Sequence, residues 1–253
     1  MSVIYVQILE TKGSAPRDAG TVMEVRTERT DGTIGGGALE HQAIATARTL
    51  MREKRDTLTQ TIPLGPGLGQ CCGGSVRLLF TRQPRIAEPD PSFRIDGPSP
   101  DSPVPLWLWG AGHVGRAVVD AAPARSFDVV WVDDARERFP PKIPDHVTAL
   151  PAHDMALLAA RCPRGAHHLI FTYAHDIDLA LCAALLRRQA ASIGLIGSAT
   201  KWARFFKRLT AMGLDPAPIT CPIGDKALGK TPAAIAHGTV TALLANVARK
   251  VPA

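Results

Sequence analysis

Hydrophobic positions in the first third of the chain follow two different patterns. Val3–Leu9 and Thr21–Arg26 are rich in β-branched residues and have the character of strands. Leu39–Lys54 repeats its apolar residues every three or four positions, which predicts an amphipathic helix. Two further runs, Thr57–Pro63 and Ser75–Arg82, again resemble strands. We therefore predict a small α+β unit, in which polar or glycine-rich loops separate the elements.

The rest of the chain alternates short apolar runs with helical patterns. The predicted strands are Leu106–Trp109, Asp128–Val132, Val147–Leu150, His168–Tyr173 and Ser192–Ile196. The predicted helices are one that begins at His113, and Met155–Arg161, Asp176–Gln189, Ser198–Met212 and Thr231–Arg249. Repeated strand–helix alternation is typical of a doubly wound parallel sheet. The predicted fold class is α/β, with a small α+β N-terminal domain and a Rossmann-like C-terminal domain.

A proline-rich stretch separates the two patterns. Seven of the 21 prolines lie between Gln83 and Pro105, where they exclude both a helix and a central strand. We predict an N-terminal domain over residues 1–83, a linker over 84–105 and a C-terminal domain over 106–253. The net charge of +6 lies almost wholly in the last part, which allows a phosphate-bearing ligand without requiring one.

Composition excludes several classes of protein. With 45% hydrophobic and 21% charged residues, the chain is neither mainly disordered nor collagen-like. No apolar stretch is long enough for a transmembrane helix, and the first ten residues lack the features of a signal peptide. Among the five cysteines, Cys71 and Cys72 are adjacent, a poor arrangement for a structural disulfide. We therefore expect a cytoplasmic protein with reduced thiols.

A glycine-rich turn follows the first predicted strand of the C-terminal domain. Gly110, Gly112 and Gly115 have G-x-G-x-x-G spacing, which lets a diphosphate approach the backbone at a helix N-terminus. Asp133, the first of an acidic pair at the end of the next strand, stands where dinucleotide folds bind ribose hydroxyls. His113 lies inside the turn and is a further candidate contact. Alternatively, the glycines only permit close packing and His113 is an ordinary polar residue at a helix start.

Two further polar features of this domain each have a functional and a structural interpretation. Residues 172–176 end a predicted strand, so His175 and Asp176 either line a ligand crevice or, in the case of Asp176, cap the next helix. The helix that follows Ser198 has basic residues at three- and four-residue spacing, namely Lys201, Arg204, Lys207 and Arg208. They form either a solvated face or a docking surface for an acidic partner. No recognised nucleic-acid-binding module accompanies them, so we expect no nucleic-acid partner.

The stretch LGPGLGQCCGGSV is the most unusual part of the N-terminal domain. Five glycines flank Cys71 and Cys72, which leaves little side-chain bulk over the thiols. A thiolate is a nucleophile and a ligand for soft metals, so this loop is a candidate functional site. The alternative is that the two cysteines are small buried residues, a common role for cysteine.

Two other glycine-rich loops in this domain are candidates for anion binding. One includes Arg17, whose guanidinium could contact a phosphate in a bidentate manner. The other includes Gly35, Gly36 and Gly37 and runs directly into a predicted helix, whose N-terminus favours anions. The alternative is that both are turns that need glycine for positive φ.

Several of these stretches together resemble one family. ETKGSAPRDAGTVMEV, DGTIGGGALE, LGQCCGG, LWLWGAGHVGRAVV and SIGLIGSATKW, in this order, are similar to the XdhC/CoxI family of maturation factors for molybdenum hydroxylases. The resemblance implies a non-enzymatic chaperone that binds and protects the molybdenum cofactor (molybdopterin). It also implies that the chaperone supports sulfuration of the cofactor with a cysteine desulfurase and delivers it to xanthine dehydrogenase or a related enzyme. A homodimer is a further expectation.

The same resemblance assigns roles to particular residues. Gln70, Cys71 and Cys72 match the family's cysteine-bearing loop, and the two cysteines become possible molybdenum ligands. The G-x-G-x-x-G stretch matches the Rossmann turn, where a nucleotide or dinucleotide could bind. Two competing hypotheses remain beside the chaperone. One is an NAD(P)-dependent oxidoreductase that uses the Rossmann turn and Asp133, and the other is an interaction scaffold that binds no cofactor.

Overall fold

The computed structural model describes residues 3–13, 15–64, 74–85, 95 and 103–250. Contacts divide the chain between Pro89 and Asp90 into two compact units. Among the helices described, none is long and apolar enough to cross a membrane.

The first unit is a five-stranded antiparallel sheet packed against one helix. Its strands have the order β3-β2-β1-β5-β4. In chain order the elements are β1 (Val3–Lys12), β2 (Val22–Arg26), β3 (Thr30–Gly32), α1 (Gly37–Arg52), β4 (Thr57–Pro63) and β5 (Ser75–Thr81). Helix α1 buries Leu39, Ala43, Ala47 and Leu50, which lie on one face because they are spaced at three and four residues. They pack in one core with alternate residues of β1, among them Ile4.

The second unit is a six-stranded parallel sheet with helices on both faces. The strands have the order β11-β10-β9-β6-β7-β8. The strands are β6 (Val104–Trp109), β7 (Phe127–Asp133), β8 (Val147–Pro151), β9 (His167–Ile170), β10 (Ser192–Leu195) and β11 (Ile219–Thr220). The helices are α2 (His113–Ala121), α3 (Met155–Ala159), α4 (His175–Arg188), α5 (Ala199–Ala211) and α6 (Pro232–Lys250). The predicted fold class, including the doubly wound parallel sheet, is confirmed.

Alternate side chains of β6 divide this unit into two cores. Leu106 and Leu108 pack with residues of α2 and α6 on one face of the sheet. Trp109 packs on the opposite face with residues of α3, α4 and α5. The chain runs from β6 to β7 and β8 on one side and then returns to β9 on the other side of β6, which places the switch point of the fold between the carboxyl ends of β6 and β9.

The structure differs from the predicted elements at several boundaries. Strand β3 lies partly in a segment that we predicted to be a loop, because all three of its residues are exposed and give no apolar signal. Strand β11 has only two residues. Strand β9 ends at Ile170, three residues earlier than predicted. The last helix begins at Pro232, one residue later than predicted, and Thr231 caps it, since its Oγ1 accepts a hydrogen bond from the Ala234 amide at 3.1 Å.

Candidate functional site

Three loops of the first unit meet at one edge of its sheet. Each neighbouring pair of strands is antiparallel. The end of β1, the start of β2, the ends of β3 and β4, and the start of β5 therefore share an edge. The β1–β2 loop, the β3–α1 loop and the β4–β5 loop all leave the sheet there. These are the same three loops that the sequence predicts to be candidate ligand-binding segments.

The β4–β5 loop carries the predicted cysteine pair. Gln70, Cys71 and Cys72 lie outside the described residues, so their predicted roles stay predictions. The structure does fix the two ends of the loop, because the Leu64 amide donates to the Gly74 carbonyl at 2.7 Å. The segment therefore leaves and rejoins the sheet at one point of the shared edge.

The glycine-rich β3–α1 loop is closed by a side chain that sequence analysis did not single out. Glu40 is buried, and its Oε2 accepts hydrogen bonds from the Thr33 hydroxyl at 2.5 Å and from the Ile34 and Gly36 amides at 3.0 and 3.1 Å. The Gly36 amide, which we expected to face an anion, is thus satisfied within the chain, and the Gly35 amide donates to the Thr33 hydroxyl oxygen at 3.1 Å. The signal available in the sequence was an acidic residue in the first turn of the helix.

The β1–β2 and β3–α1 loops contact each other through Gly35. A Cβ on Gly35 would lie 2.4 Å from Cγ of Pro16 and 3.6 Å from Cγ of Arg17, so this glycine is required for close packing. Gly36 has a φ of +70°, and no other atom lies within 4 Å of the position of a Cβ. Gly37 begins α1, also with a positive φ. Together the β1–β2 and β3–α1 loops form a surface that carries the half-buried side chain of Arg17 and leaves open space around the Cβ position of Gly36.

In the second unit, the three glycines of the turn after β6 have different roles. A Cβ on Gly110 would lie 2.5 Å from the Phe171 carbonyl oxygen, and a Cβ on Gly115 would lie 2.2 Å from the carbonyl oxygen of Gly110. These two glycines are needed for close packing. Gly112, by contrast, has no other atom within 4 Å of a Cβ position, and it caps α2 without a side-chain hydrogen bond. His113, the first residue of α2, is exposed beside it.

Asp133 holds the glycine turn after β6 in place by accepting a hydrogen bond from its backbone. Its carboxylate is buried, and Oδ2 accepts a hydrogen bond from the Ala111 amide at 2.5 Å. Oδ1 accepts from the Asp134 amide at 2.7 Å and lies 3.2 Å from Nε of Arg138. Burial raises the pKa of Asp133, although the hydrogen bond from Ala111 opposes that effect. The carboxylate predicted to bind ribose is therefore engaged within the chain at both oxygens.

A group of side chains that sequence analysis did not identify lies beside the turn. The Tyr173 hydroxyl donates to Oδ2 of Asp134 at 2.6 Å. The Arg138 guanidinium carbon lies 4.0 Å from the centre of the Tyr173 ring, and its Nε is 2.5 Å from Oδ1 of Asp134. Asp134 and Arg138 are four residues apart, whereas Tyr173 lies 39 residues from Asp134, so no local spacing in the sequence could have connected the tyrosine with this pair.

A buried ion pair corrects the interpretation of the basic helix. Lys201 does not belong to a solvated face, because its Nζ lies 2.5 Å from Oδ2 of Asp178 and both side chains are buried. Nζ also donates to the Ile196 carbonyl at 2.9 Å. Oδ1 of Asp178 accepts from the hydroxyl and amide of Thr172 at 2.6 and 3.1 Å. Arg204, Lys207 and Arg208 of the same helix are exposed.

The structure also corrects the capping role considered for Asp176. Helix α4 begins at His175 with Ala174 as its N-cap, and Asp176 lies exposed in the first turn, 3.4 Å from Nη1 of Arg208. The His175 ring packs edge-on to Phe205 with ring centres 6.3 Å apart. Burial, followed by the charge of Lys201, lowers the pKa of His175. His175 therefore favours its neutral form.

The described residues offer no ready metal site. Within them, no group of three or more His, Cys, Asp or Glu side chains could hold a metal ion. Burial raises the pKa of Cys162 to about 12 and that of Cys221 to about 11, and it also raises the pKa of Cys182. These three thiols are thus poor sources of thiolate at neutral pH.

Comparisons with known proteins agree with this architecture. A family model of the XdhC Rossmann domain matches residues 106–243, and a model of the XdhC and CoxI family matches residues 2–62. The uncharacterized protein YqeB of Escherichia coli (strain K12) is 25% identical over 245 residues. That match covers 94% of this chain and 42% of YqeB, so the chain spans less than half the length of this relative.

Solved structures show a likeness of fold. The crystal structure of a xanthine dehydrogenase from Bacillus halodurans superposes with a TM-score of 0.52 at 17% identity, covering 98% of this chain and 92% of that chain. A Rossmann-fold NAD(P)-binding family protein from Shigella flexneri has a TM-score of 0.40 at 12% identity, covering 58% of this chain and 87% of that chain. At these identities the comparison with the Bacillus structure supports the fold alone.

Proposed function

The chain belongs to the XdhC and CoxI family, and on that premise we propose that it binds the molybdenum cofactor and delivers it to an apo-hydroxylase. The recipient would be xanthine dehydrogenase or a related molybdenum hydroxylase. In this role the chain is an accessory protein without turnover of its own. A cysteine desulfurase is the expected partner for sulfuration of the cofactor, and we expect a homodimer in the cytoplasm.

The observation that carries this proposal is the shared edge of the first unit. Antiparallel pairing brings three candidate loops to that edge, and the Leu64–Gly74 hydrogen bond fixes both ends of the loop with the cysteine pair there. Thiolates of Cys71 and Cys72 are soft ligands suited to molybdenum or to sulfur transfer. The described thiols of the second unit are less suitable, because burial disfavours their thiolate forms.

The described residues at this edge fit part of the cofactor. Bound molybdopterin would bring the molybdenum centre that the hydroxylase uses. The guanidinium of Arg17 supplies a positive charge for the phosphate end of the pterin, and the space above Gly36 leaves room for a ligand. The Ile34 and Gly36 amides do not suit that phosphate, since Glu40 already accepts their hydrogen bonds.

The alternative, an NAD(P)-dependent oxidoreductase, has less support from the geometry. Gly112 leaves open space at the N-terminus of α2, as a bound diphosphate would require. However, Asp133 is engaged at both oxygens by groups of the chain itself. The acidic residue on which that hypothesis depended therefore has a structural role in this turn.

Cofactor delivery tests the proposed function. The full chain is loaded with molybdenum cofactor under anaerobic conditions, separated from free cofactor and mixed with an apo-hydroxylase. We expect the wild-type chain to restore molybdenum content and activity to the hydroxylase, and the Cys71→Ala/Cys72→Ala variant to restore neither. Cys221→Ala, which removes a thiol in the second unit, is the matched control and should behave like wild type. If the double variant delivers as much molybdenum cofactor as wild type, the proposed role of the two thiols is contradicted.

A further inference from the structure

The Tyr173–Asp134 hydrogen bond crosses the ligand crevice of the Rossmann unit. Asp134 follows the carboxyl end of β7, and Tyr173 follows β9. Strand β6 lies between these two strands and ends in the glycine turn. The two flanking strands are therefore roughly 9.5 Å apart, twice the spacing of neighbouring strands. A side chain that joins their ends has to pass over the carboxyl end of β6, beside the switch point between β6 and β9.

Further contacts hold this bridge in place. Arg138 stacks on the Tyr173 ring and contacts the carboxylates of both Asp133 and Asp134. The Arg138 carbonyl in turn accepts a hydrogen bond from Nη2 of Arg116 at 2.9 Å, while Nε of Arg116 donates to the Ala111 carbonyl at 3.1 Å. The bridge is thus tied to the glycine turn through helix α2. The hydrogen bond to Asp134 raises the pKa of Tyr173, so the phenol keeps the proton that it donates.

An NAD-type dinucleotide needs the groups that this bridge uses. In a Rossmann fold, the diphosphate lies over the glycine turn and an acid at the end of the second strand accepts the ribose hydroxyls. Asp133 is 3% exposed and committed to the Ala111 amide. Asp134 is the more accessible acid of the pair, with 21% of its side chain exposed, and Tyr173 donates to one of its oxygens.

We propose that Tyr173 is a specificity-determining residue that keeps NAD-type dinucleotides out of this crevice. Its hydroxyl donates a hydrogen bond to Asp134, the accessible carboxylate that would otherwise accept the ribose hydroxyls. Its ring also lies across the path that the diphosphate would take. The inference goes beyond cofactor delivery, since it concerns the second unit alone. A sequence with the spacing of a dinucleotide-binding turn thus folds into a crevice in which both candidate acids accept hydrogen bonds from the chain itself.

Calorimetric titration of the full-length chain with NAD⁺ tests this inference. We expect Tyr173→Phe to bind NAD⁺ at least tenfold more tightly than wild type, because Oδ2 of Asp134 loses its donor while Oδ1 keeps its contact with Arg138. Tyr173→Ala should bind more tightly again, because the ring is also removed. Tyr5→Phe, which alters the only other tyrosine, is the matched control and should match wild type. Circular dichroism checks that each variant is folded, as expected for a position that is 47% exposed.

A second substitution separates this role from a merely structural one. Adding Asp134→Asn to Tyr173→Phe should abolish the gain in NAD⁺ affinity, because the gain depends on the freed carboxylate. Three results would overturn the inference: equal NAD⁺ affinity for wild type and both Tyr173 variants, no binding by any of them, or a gain that persists with Asp134→Asn. None of these results bears on molybdenum cofactor delivery, which is measured on different residues.

Discussion

Replacing Lys201 with methionine tests its buried ion pair with Asp178 in the second unit. The change keeps most of the apolar stem but removes the ammonium that lies 2.5 Å from Asp178. Asp178, which is 1% exposed, would keep the hydrogen bonds from Thr172 but lose its counter-charge. Leaving one member of a buried pair uncompensated costs about 3–5 kcal/mol. We expect the free energy of unfolding of this unit to fall by that amount.

Urea unfolding followed by tryptophan fluorescence measures this loss. All four tryptophans, at positions 107, 109, 131 and 202, lie in the second unit, so their emission reports that unit alone. With a denaturant dependence of about 2 kcal/mol per molar urea, the midpoint should fall by about 2 M. Lys207→Met, an exposed lysine on the same helix, is the matched control and should change stability by less than about 0.5 kcal/mol.

The result that would refute this reasoning is a small difference between the two lysine variants. If Lys201→Met and Lys207→Met unfold at midpoints within about 0.3 M of each other, the pair contributes little and the basic residues of α5 act as one solvated face after all. A loss for Lys201→Met together with wild-type behaviour for Lys207→Met supports the pair.

Three further predictions concern the two units. Gly115→Ala should destabilise the second unit by about 2 kcal/mol in the same fluorescence assay, because its Cβ would lie 2.2 Å from a backbone oxygen. Gly112→Ala should destabilise this unit by no more than about 1 kcal/mol, because its Cβ would meet open space although alanine is a poorer N-cap than glycine; equal effects would contradict the separate roles of these glycines. Glu40→Ala should destabilise the β3–α1 loop by about 3 kcal/mol, since three donors lose their acceptor, and amide exchange in peptides from α1 should accelerate. The exposed Glu53→Ala is its control, and unchanged exchange for Glu40→Ala would refute the role of that carboxylate. Burial lowers the pKa of His168 from 6.5 to about 3 in the folded chain. On acidification, the unfolded chain therefore binds a proton at His168 at a higher pH than the folded chain does. The second unit should therefore lose about 2 kcal/mol of stability between pH 7.5 and pH 5, and His168→Gln should remove that loss; a pH dependence that the variant leaves intact would contradict it.

Local patterns in the sequence predicted most of the elements but not their shortest members. The apolar repeat of α1 and the strand–helix alternation of the second unit are each visible within a short window, because burial of one face imposes a period on the chain. The three residues of β3 bury no side chain, and β11 has only two residues, so neither has a period to detect.

The candidate sites were only partly predictable, because their decisive contacts are not local. Gly110 and Gly115 could be identified from their spacing, whereas the engagement of Asp133 with Ala111 depends on how β7 lies beside β6. Asp178 and Lys201 are 23 residues apart, and Tyr173 and Asp134 are 39 apart. The sequence pattern therefore places Lys201 on a charged surface, whereas the fold buries its side chain in contact with Asp178.

The most direct test of the central claim is the molybdenum content of the loaded chain. Wild type, Cys71→Ala/Cys72→Ala and Cys221→Ala are incubated anaerobically with molybdenum cofactor, passed through a desalting column, and analysed for metal and pterin. The account predicts that metal and pterin remain with wild type and with Cys221→Ala in equal and stoichiometric amounts, and that the double variant retains neither. If wild type retains no cofactor, or if the double variant retains as much as wild type, cofactor binding at the cysteine loop is contradicted.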